Sequence, residues 1–346
     1  MMNEIDYVIE QAKKLLSIDS PTGYTKNVIQ YLKEQYEDMG FDAVVTNKGG
    51  LLVDLGGEDC GRGILLETHA DTLGGMVSEI LPGGTLRISP LGGLNASNCE
   101  TENCRVITRF DGTYEGTFQL QNASVHVNGD FSKTERSFDT MEVRLDEKVF
   151  SDKDVRELGI MEGDIVCMNP RTCFTESGFL KSRVLDDKLS VAIALGVAKF
   201  LHDEKAVLPR RTWQHITVYE EVGHGGAASV PEGVTEALSV DMGCVGEGLR
   251  CTEYQVSICA KDSVGPYSYD MVTKLVRLAK EHKIDFAVDV YPHYGSDVDV
   301  TLGAGHDVKH GLIGAGVYAS HGYERVHRDG IAAAYELLKA YVLSGE

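Results

Sequence analysis

The sequence predicts an α/β protein with a mostly parallel central sheet, interrupted by an inserted β-rich domain. Strand-like and helix-like segments alternate before residue 75 and again after residue 176. Between them, short β-like pieces are separated by Gly, Asn and Asp. Strands that alternate with helices imply an open sheet that is covered on both faces. We therefore expect a discontinuous three-layer αβα domain from residues 1–75 and 176–346, with residues 76–175 inserted.

The first part of the chain predicts two amphipathic helices and then three strands. Apolar residues recur at helical spacing over residues 4–17, and a second periodic segment ends at Gly40. The turn sequence Ser-Pro-Thr-Gly at residues 20–23 separates them. Strands are predicted near residues 42–46, 51–55 and 63–68.

The α/β alternation returns after the insertion. Helices are predicted at about 187–202, 267–282 and 329–343, and strands at about 213–219, 238–240, 255–260, 285–290 and 312–318. The longest largely apolar run, residues 189–201, includes Lys199. Because a bilayer span needs about 20 apolar residues, this run predicts a buried helix and no membrane partner.

Composition argues against several functions. The net charge is −20, whereas binding to nucleic acid or to an anionic membrane needs clustered Lys and Arg. The eight cysteines form no C-x-x-C pair, which argues against a zinc ribbon or a redox motif. The amino terminus does not have the pattern of a secretory signal. We therefore expect a cytoplasmic protein with reduced thiols and no nucleic-acid partner.

Residues of the types that bind metals follow the predicted strands. His69 and Asp71 follow the third strand, and the later strands are followed by Glu220, Glu221, Asp241 and His321. Asp186 and Asp187 begin a helix. Since the carboxyl ends of parallel strands meet at one edge of a sheet, we expect these side chains to converge. Zinc, cobalt and manganese all accept such a mixture of imidazoles and carboxylates.

Each of these residues also has a structural interpretation when it is taken alone. A single His at a strand end is commonly a hydrogen-bonding residue, and Asp186 with Asp187 would serve as a helix N-cap. Glu220 and Glu221 could form a solvated turn. The convergence of two His and several carboxylates on one rim favours a metal site over these separate explanations.

A pair of metals would explain the two adjacent glutamates. Two divalent ions polarise a carbonyl and lower the pKa of a water between them. A nearby carboxylate then takes the proton of that water and passes it to the leaving group. One glutamate can bind metal while the other acts as the base if the chain bends, and the glycines of residues 223–226 permit a bend. Asp71, on the same strand face as His69, would orient the imidazole.

These motifs resemble the family 42 metallo-aminopeptidases, which include the tetrahedral (TET) aminopeptidases and relatives labelled glutamyl aminopeptidases or "cellulase M". The matching segments are residues 68–71, 183–188, 220–223, 226–227, 240–241 and 321, and residues 141–146 and 158–164 of the insertion. The resemblance covers nearly the whole chain. It implies a phosphorylase/hydrolase-like catalytic domain and a PDZ-like inserted domain that mediates dimerisation.

The resemblance also implies a role for each site residue. One metal would be bound by His69, Asp186 and Asp241, and the other by Asp186, Glu221 and His321. The choice of Asp186 over Asp187 as the bridging ligand comes from the resemblance alone, and a cis peptide often follows that residue in the family. Glu220 would be the general base, and Asp297 would lie near the substrate.

The function implied is removal of N-terminal residues from short peptides by dimers that assemble into a tetrahedral dodecamer. The chain departs from the family where His224 and Gly225 replace a Leu-Arg pair and where Met242 and Gly243 replace Val-Thr. These positions border the expected substrate pocket, so an amidohydrolase or deacylase with the same metals is the main alternative.

Two further alternatives fit the sequence less well. An endoglucanase, which the "cellulase M" label implies, needs two carboxyl groups and no metal, and this leaves two His and two more Asp unexplained. A scaffold protein that kept only the fold would have lost the base or a ligand, and this chain retains all of them.

Overall fold

The computed structural model describes residues 3–345. The helices are α1 (Glu4–Leu16), α2 (Lys26–Asp38), α3 (Ala96–Cys99), α4 (Asp152–Glu157), α5 (Leu185–Glu204), α6 (Tyr269–Glu281), α7 (Asp297–Gly303) and α8 (Arg328–Leu343). The strands are β1 (Asp42–Val45), β2 (Leu51–Asp54), β3 (Asp59–His69), β4 (Gly74–Ile80), β5 (Leu86–Leu91), β6 (Asn103–Ile107), β7 (Thr113–Leu120), β8 (Met141–Leu145), β9 (Ile165–Met168), β10 (Cys173–Phe174), β11 (Phe179–Ser182), β12 (Arg210–Thr217), β13 (Val234–Val240), β14 (Gly243–Val245), β15 (Val256–Lys261), β16 (Phe286–Val290), β17 (Lys309–Tyr318) and β18 (Glu324–His327).

The centre of the large sheet is parallel. Strands β12, β3, β13 and β17 lie side by side in that order, and each pairs in parallel with the next. Antiparallel strands extend the sheet on both sides, with β2 and β1 beside β12 and with β18, β11 and β10 beyond β17. The predicted parallel centre is therefore confirmed, whereas the antiparallel flanks were not predicted.

Apolar cores lie on both faces of this sheet. Along β3, Ile64 and Leu66 pack into a large core with residues of α1, α2, α5 and α8. Leu65, between them, packs into a smaller core with Trp213 and with Val298 of α7. Because consecutive strand residues point to opposite faces, the two cores lie on opposite sides of the sheet. This is the predicted three-layer arrangement.

The inserted segment forms a closed antiparallel barrel. Its strands follow the order β4-β5-β8-β7-β6-β9, and its interior contains buried residues such as Phe118, Met141 and Val166. The β-rich character of the insertion is therefore confirmed, in the form of a barrel that extends from Gly74 to Met168. The domain boundaries at residues 76 and 175 and the dimerisation role stay predictions.

Helix α5 brings one acidic pair to the sheet. Asp186 and Asp187 have non-helical backbone torsion angles, so the regular helix starts after them, and the rest of α5 is mostly buried. The peptide bond between the two residues is cis, as the family resemblance implies. Throughout residues 3–345, no helix combines the length and the apolar character that a membrane crossing requires.

Candidate active site

The carboxyl ends of the central strands bring the predicted site residues together. His69 ends β3, Asp241 directly follows β13, Glu220 and Glu221 lie in a 3-10 turn after β12, and His321 lies between β17 and β18. The start of α5 adds Asp186 at the same edge. Parallel strands that lie next to each other in the sheet end at one edge, which is why residues so far apart in sequence converge here.

The Asp186 carboxylate lies between the two predicted imidazole ligands. Its Oδ1 atom is 3.1 Å from His69 Nε2, and its Oδ2 atom is 3.5 Å from His321 Nε2. One carboxylate oxygen therefore faces each imidazole. This is the arrangement that a residue shared between two cations requires.

Asp187, the next residue along the chain, is a second candidate metal ligand. Ligand-type atoms of His69, Asp187 and Asp241 all lie within 4.8 Å of one another. However, one Asp187 oxygen already accepts a hydrogen bond from the His69 backbone N–H at 3.2 Å. The Asp187 carboxylate is therefore engaged with the backbone N–H of His69, whereas the Asp186 carboxylate faces both imidazoles. The choice of Asp186 as the shared ligand stays a prediction.

The chain bends at the two glutamates, as the predicted site requires. Tyr219, just before them, has a left-handed backbone with φ of 72°. Glu220 Oε2 is 3.5 Å from His69 Nε2, and Glu221 Oε2 is 3.8 Å from His321 Nε2. The Glu220 side chain is 17% exposed and that of Glu221 only 4%. The Glu220 side chain is therefore the more exposed of the two glutamates.

Asp71 contacts the glutamate turn more closely than it contacts the imidazole. His69 Nδ1 is 2.9 Å from the Asp71 backbone carbonyl and 3.6 Å from its carboxylate. The carboxylate accepts hydrogen bonds from the backbone N–H groups of Glu220 at 3.1 Å and Glu221 at 3.4 Å. Asp71 thus ties the end of β3 to the turn, and the predicted orienting contact to His69 is made by its carbonyl oxygen.

Two further polar residues support the site and were not among the predicted site residues. Glu324 is buried, and its two carboxylate oxygens accept the backbone N–H groups of Asp186 at 3.2 Å and His321 at 3.0 Å. The Thr22 hydroxyl donates to the Asp71 carboxylate at 2.7 Å. Glu324 lies three residues from His321 in sequence, which is a usable signal, whereas Thr22 has only its place in the loop after α1.

Asp297 lies behind the glutamate turn and not beside the ligand-type residues. It is 2% exposed and accepts a hydrogen bond from the Thr217 hydroxyl. A Cβ atom on Gly225 would come within 2.2 Å of its carboxylate, so the turn packs directly on it. The Asp297 carboxylate forms its hydrogen bond with Thr217 and is near enough to raise the pKa of Glu220, and its role in substrate binding stays a prediction.

Burial of several carboxylates in one place shifts their pKa values. Burial raises the pKa of Glu220 well above its ordinary value, and nearby Asp297 and Asp241 raise it further. Burial also raises the pKa of Glu221 to about 8 and that of Asp241 to about 6. Burial opposes ionisation of Asp186 too, but hydrogen bonds with His321 and His69 lower its pKa. Such crowding of like charges is offset when a divalent cation binds among them.

The donor atoms of this site fit divalent cations. Buried Asp187 Oδ1 and Glu221 Oε1 have no hydrogen-bond partner among the described residues. Buried polar atoms without a partner are rare in folded proteins unless an ion or a water satisfies them. Imidazole nitrogen and carboxylate oxygen are ligands that zinc, cobalt and manganese accept.

The three-layer fold and this cluster at the carboxyl edge define a hydrolase of the α/β class with a candidate metal site. Residues 49–337 match the model of the family described as M42 glutamyl aminopeptidase. The chain is 44% identical over 343 residues, 99% of both chains, to the YhfE protein of Bacillus subtilis (strain 168), whose name assigns it provisionally to the aminopeptidases. The chain therefore belongs to the M42 family, and it is a peptidase.

Solved structures of similar proteins agree with this fold. The aminopeptidase APDkam598 from Desulfurococcus kamchatkensis superposes with a TM-score of 0.88 at 22% identity, covering 99% of this chain and 96% of that one. The TET1 peptidase from Pyrococcus horikoshii gives a TM-score of 0.85 at 22% identity, covering 97% and 99%. The predicted α/β domain with a β-rich insertion is thereby confirmed.

Proposed function

We propose that this protein is a dinuclear metal-dependent aminopeptidase that removes N-terminal residues from short peptides. The observation that carries this proposal is the Asp186 carboxylate, whose two oxygens face His69 and His321. A single zinc ion can also be bound by two imidazoles and a carboxylate, but here each imidazole faces a different oxygen of the same carboxylate, which favours a carboxylate shared between two cations. Family membership supports the peptidase activity, and the two-sided position of Asp186 supports two cations.

The residues that would hold the cations fall into two groups that share Asp186. His69 and Asp241 complete one group, and Glu221 and His321 complete the other. Two bound divalent ions, with zinc first and cobalt or manganese as alternatives, would polarise the scissile carbonyl and acidify a water.

Glu220 would move the proton in this reaction. Its carboxylate would accept a proton from the attacking water and then donate it to the amine of the leaving peptide. The Asp71 carboxylate holds the backbone of Glu220, which fixes the base relative to His69. The burial that raises the pKa of Glu220 favours a group that can carry a proton between these two steps.

The proposed partners are short peptides and further copies of the same chain. The Pyrococcus horikoshii TET1 peptidase assembles into a tetrahedron or a large octahedral shell. By analogy we propose that this chain forms dimers and then a tetrahedral dodecamer. A cytoplasmic location stays a prediction from the sequence.

The alternatives differ in what the pocket accepts and in whether metal is needed. A deacylase would use the same metal ligands on a substrate other than a free N-terminus. An endoglucanase would need two carboxyl groups and would leave both imidazoles without a role.

The test compares metal-dependent hydrolysis by the native enzyme and by Glu220→Gln. Metal-stripped protein would be given zinc, cobalt or manganese and assayed with aminoacyl p-nitroanilides. We expect Glu220→Gln to lower kcat by about 10²- to 10⁴-fold, because the amide cannot accept the proton. The number of bound metal ions, measured by elemental analysis, should not change.

N-terminally blocked peptides and a soluble cellulose derivative serve as controls. Hydrolysis only of substrates with a free N-terminus supports the aminopeptidase function. Hydrolysis only of N-acylated substrates would indicate a deacylase. Full activity of Glu220→Gln would show that Glu220 is not the general base.

A further inference from the structure

The candidate active site opens into a cleft that is large enough for an amino-acid side chain. The cleft has a volume of about 460 Å³ and is bordered by the ligand-type residues on one side. The rest of its wall is formed by Gly223, Met242, Cys244, His293, Tyr294, Gly295 and Ser320. No lysine or arginine of the described chain belongs to this wall.

Internal contacts hold part of this wall in a defined position. The Tyr294 hydroxyl donates a hydrogen bond to the Met242 carbonyl at 3.1 Å, and its ring packs edge-on against Tyr291 at 5.1 Å between centroids. The Tyr294 backbone N–H donates to the Ser263 hydroxyl at 2.8 Å. Met242 follows Asp241 directly, so the wall begins beside a predicted metal ligand. A wall fixed in this way can discriminate between substrate side chains.

A second cavity also borders Asp186, Glu221 and His321. Its volume is about 30 Å³, against about 460 Å³ for the cleft, so the cleft is the roomier place for a side chain. The two cationic lining residues of the second cavity are already engaged. The Lys188 ammonium donates to the Ile18 carbonyl, and the Arg183 guanidinium donates to Glu102 at 3.0 Å.

Another cation near the site is also held elsewhere. The Lys48 ammonium donates to the backbone carbonyls of His224 and Gly225, behind the glutamate turn. Apart from the ligand-type residues, the cleft wall therefore offers an incoming side chain the Cys244 thiol, the Tyr294 ring, the His293 imidazole and the Ser320 hydroxyl, but no lysine or arginine.

We propose that this cleft selects peptides whose N-terminal side chain is uncharged and largely apolar, such as Leu, Met or Phe, and rejects N-terminal Glu and Asp. This inference rests on the proposed aminopeptidase function and differs from the glutamyl specificity in the family's description. The proposed cations would be engaged by the amino and carbonyl groups of the peptide, so a glutamyl carboxylate against this wall would lose water without gaining a lysine or arginine partner. An apolar side chain would pack on Cys244 and Tyr294 without the cost of desolvating a charge.

The first test is a panel of leucyl, methionyl, phenylalanyl, glutamyl and aspartyl p-nitroanilides with the metal-reconstituted enzyme. We expect kcat/KM for the apolar substrates to exceed that for the glutamyl substrate by at least about 100-fold. Equal or faster glutamyl hydrolysis would overturn the specificity and leave the aminopeptidase function intact. If none of these substrates is hydrolysed, both the side-chain preference and the aminopeptidase function are overturned.

The second test adds a cation to the wall. Cys244→Lys should raise the glutamyl-to-leucyl ratio of kcat/KM by at least about tenfold, since the new ammonium can pair with the substrate carboxylate. Cys244→Met, a side chain of similar length without charge, is the matched control and should not raise this ratio, whatever its effect on overall activity. His293→Lys with His293→Gln repeats the comparison at an exposed position, where folding is not at risk. If neither lysine variant has a higher glutamyl-to-leucyl ratio of kcat/KM than its control, the cleft does not bind the N-terminal side chain and the proposal fails.

Discussion

Glu324 links two predicted metal ligands that come from different parts of the chain. Asp186 begins α5 and His321 lies in the loop before β18, yet both donate a backbone N–H to this one buried carboxylate. Burial and the nearby Asp186 raise the pKa of Glu324 to about 8, and the two hydrogen bonds reduce this shift without cancelling it. The carboxylate does not itself face a cation. Its contribution is to fix where the two ligands lie.

We expect Glu324→Ala to weaken metal binding by about 10- to 100-fold, which is the usual effect of removing a partner that orients ligands. Glu324→Gln retains one carbonyl acceptor and should weaken binding less. Titration of metal-free protein with zinc against a competing chelator measures this directly. An unchanged dissociation constant in Glu324→Ala, with an unchanged fold by circular dichroism, would show that the two backbone contacts are dispensable.

The sequence predicted the ligand-type residues better than it predicted their supports. His69, Asp241 and the two glutamates follow parallel strands, and the rule that such strands end together predicts their convergence. Glu324 and Thr22 act through hydrogen bonds to backbone or side chains far away in sequence, which no local pattern encodes. Asp297 belongs to a segment that is similar to a family motif, but the sequence does not show that the turn containing Glu220 and Glu221 packs against it.

At the scale of whole elements, Glu236 ties the amino-terminal half of β13 to three other elements. Its carboxylate lies 3.0 Å from the guanidinium of Arg210 on β12 and 3.3 Å from the ammonium of Lys274 on α6. The Tyr341 hydroxyl of α8 donates to it at 2.8 Å. Arg210 is 2% exposed, so its charge depends on this carboxylate in a place that water does not reach.

We expect Glu236→Ala to lower the free energy of unfolding by about 3–5 kcal/mol, because it leaves the buried Arg210 charge without its carboxylate. Glu34→Ala, on the exposed face of α2, is a matched control and should change stability by less than about 0.5 kcal/mol. Urea unfolding of both variants against the native chain gives the comparison. A loss in Glu236→Ala no larger than that of the control would show that Arg210 finds another partner.

The contribution of Glu236 to the stability of the fold should depend on pH. Burial acts to raise the pKa of Glu236, but the Tyr341 hydrogen bond and the charges of Arg210 and Lys274 outweigh it and hold this pKa below its ordinary value. A lowered carboxyl pKa contributes stability above the unfolded-state value of about 4.3, and this contribution is lost as the pH falls through the folded-state value. The stability difference between native protein and Glu236→Ala should therefore shrink below about pH 4.

At the scale of the whole molecule, the inserted barrel domain contacts the loops that carry predicted ligands. Asn98 Nδ2 donates to the backbone carbonyl of His321 at 3.2 Å, and Arg183, just before the acidic pair, donates to Glu102 at 3.0 Å. Arg105 of β6 forms two hydrogen bonds to Asp19 at 2.7 and 2.6 Å. The periodicity of the sequence predicts two domains, but it cannot show that the site depends on contacts between them.

Gly93, in the inserted segment between β5 and α3, lies directly against the His321 imidazole. A Cβ atom at this position would lie 2.6 Å from His321 Nδ1, a separation that real Cβ contacts do not show. Gly93→Ala should therefore displace the imidazole and weaken one of the two proposed metal sites by at least about tenfold while leaving the other, which contains His69, unaffected. Gly83→Ala is the matched control, since it makes the same change in the same segment where a Cβ would meet nothing within 4 Å. Calorimetric titration with zinc gives the affinity of each of the two proposed sites. If both affinities are unchanged in Gly93→Ala, the inserted domain does not determine the position of His321.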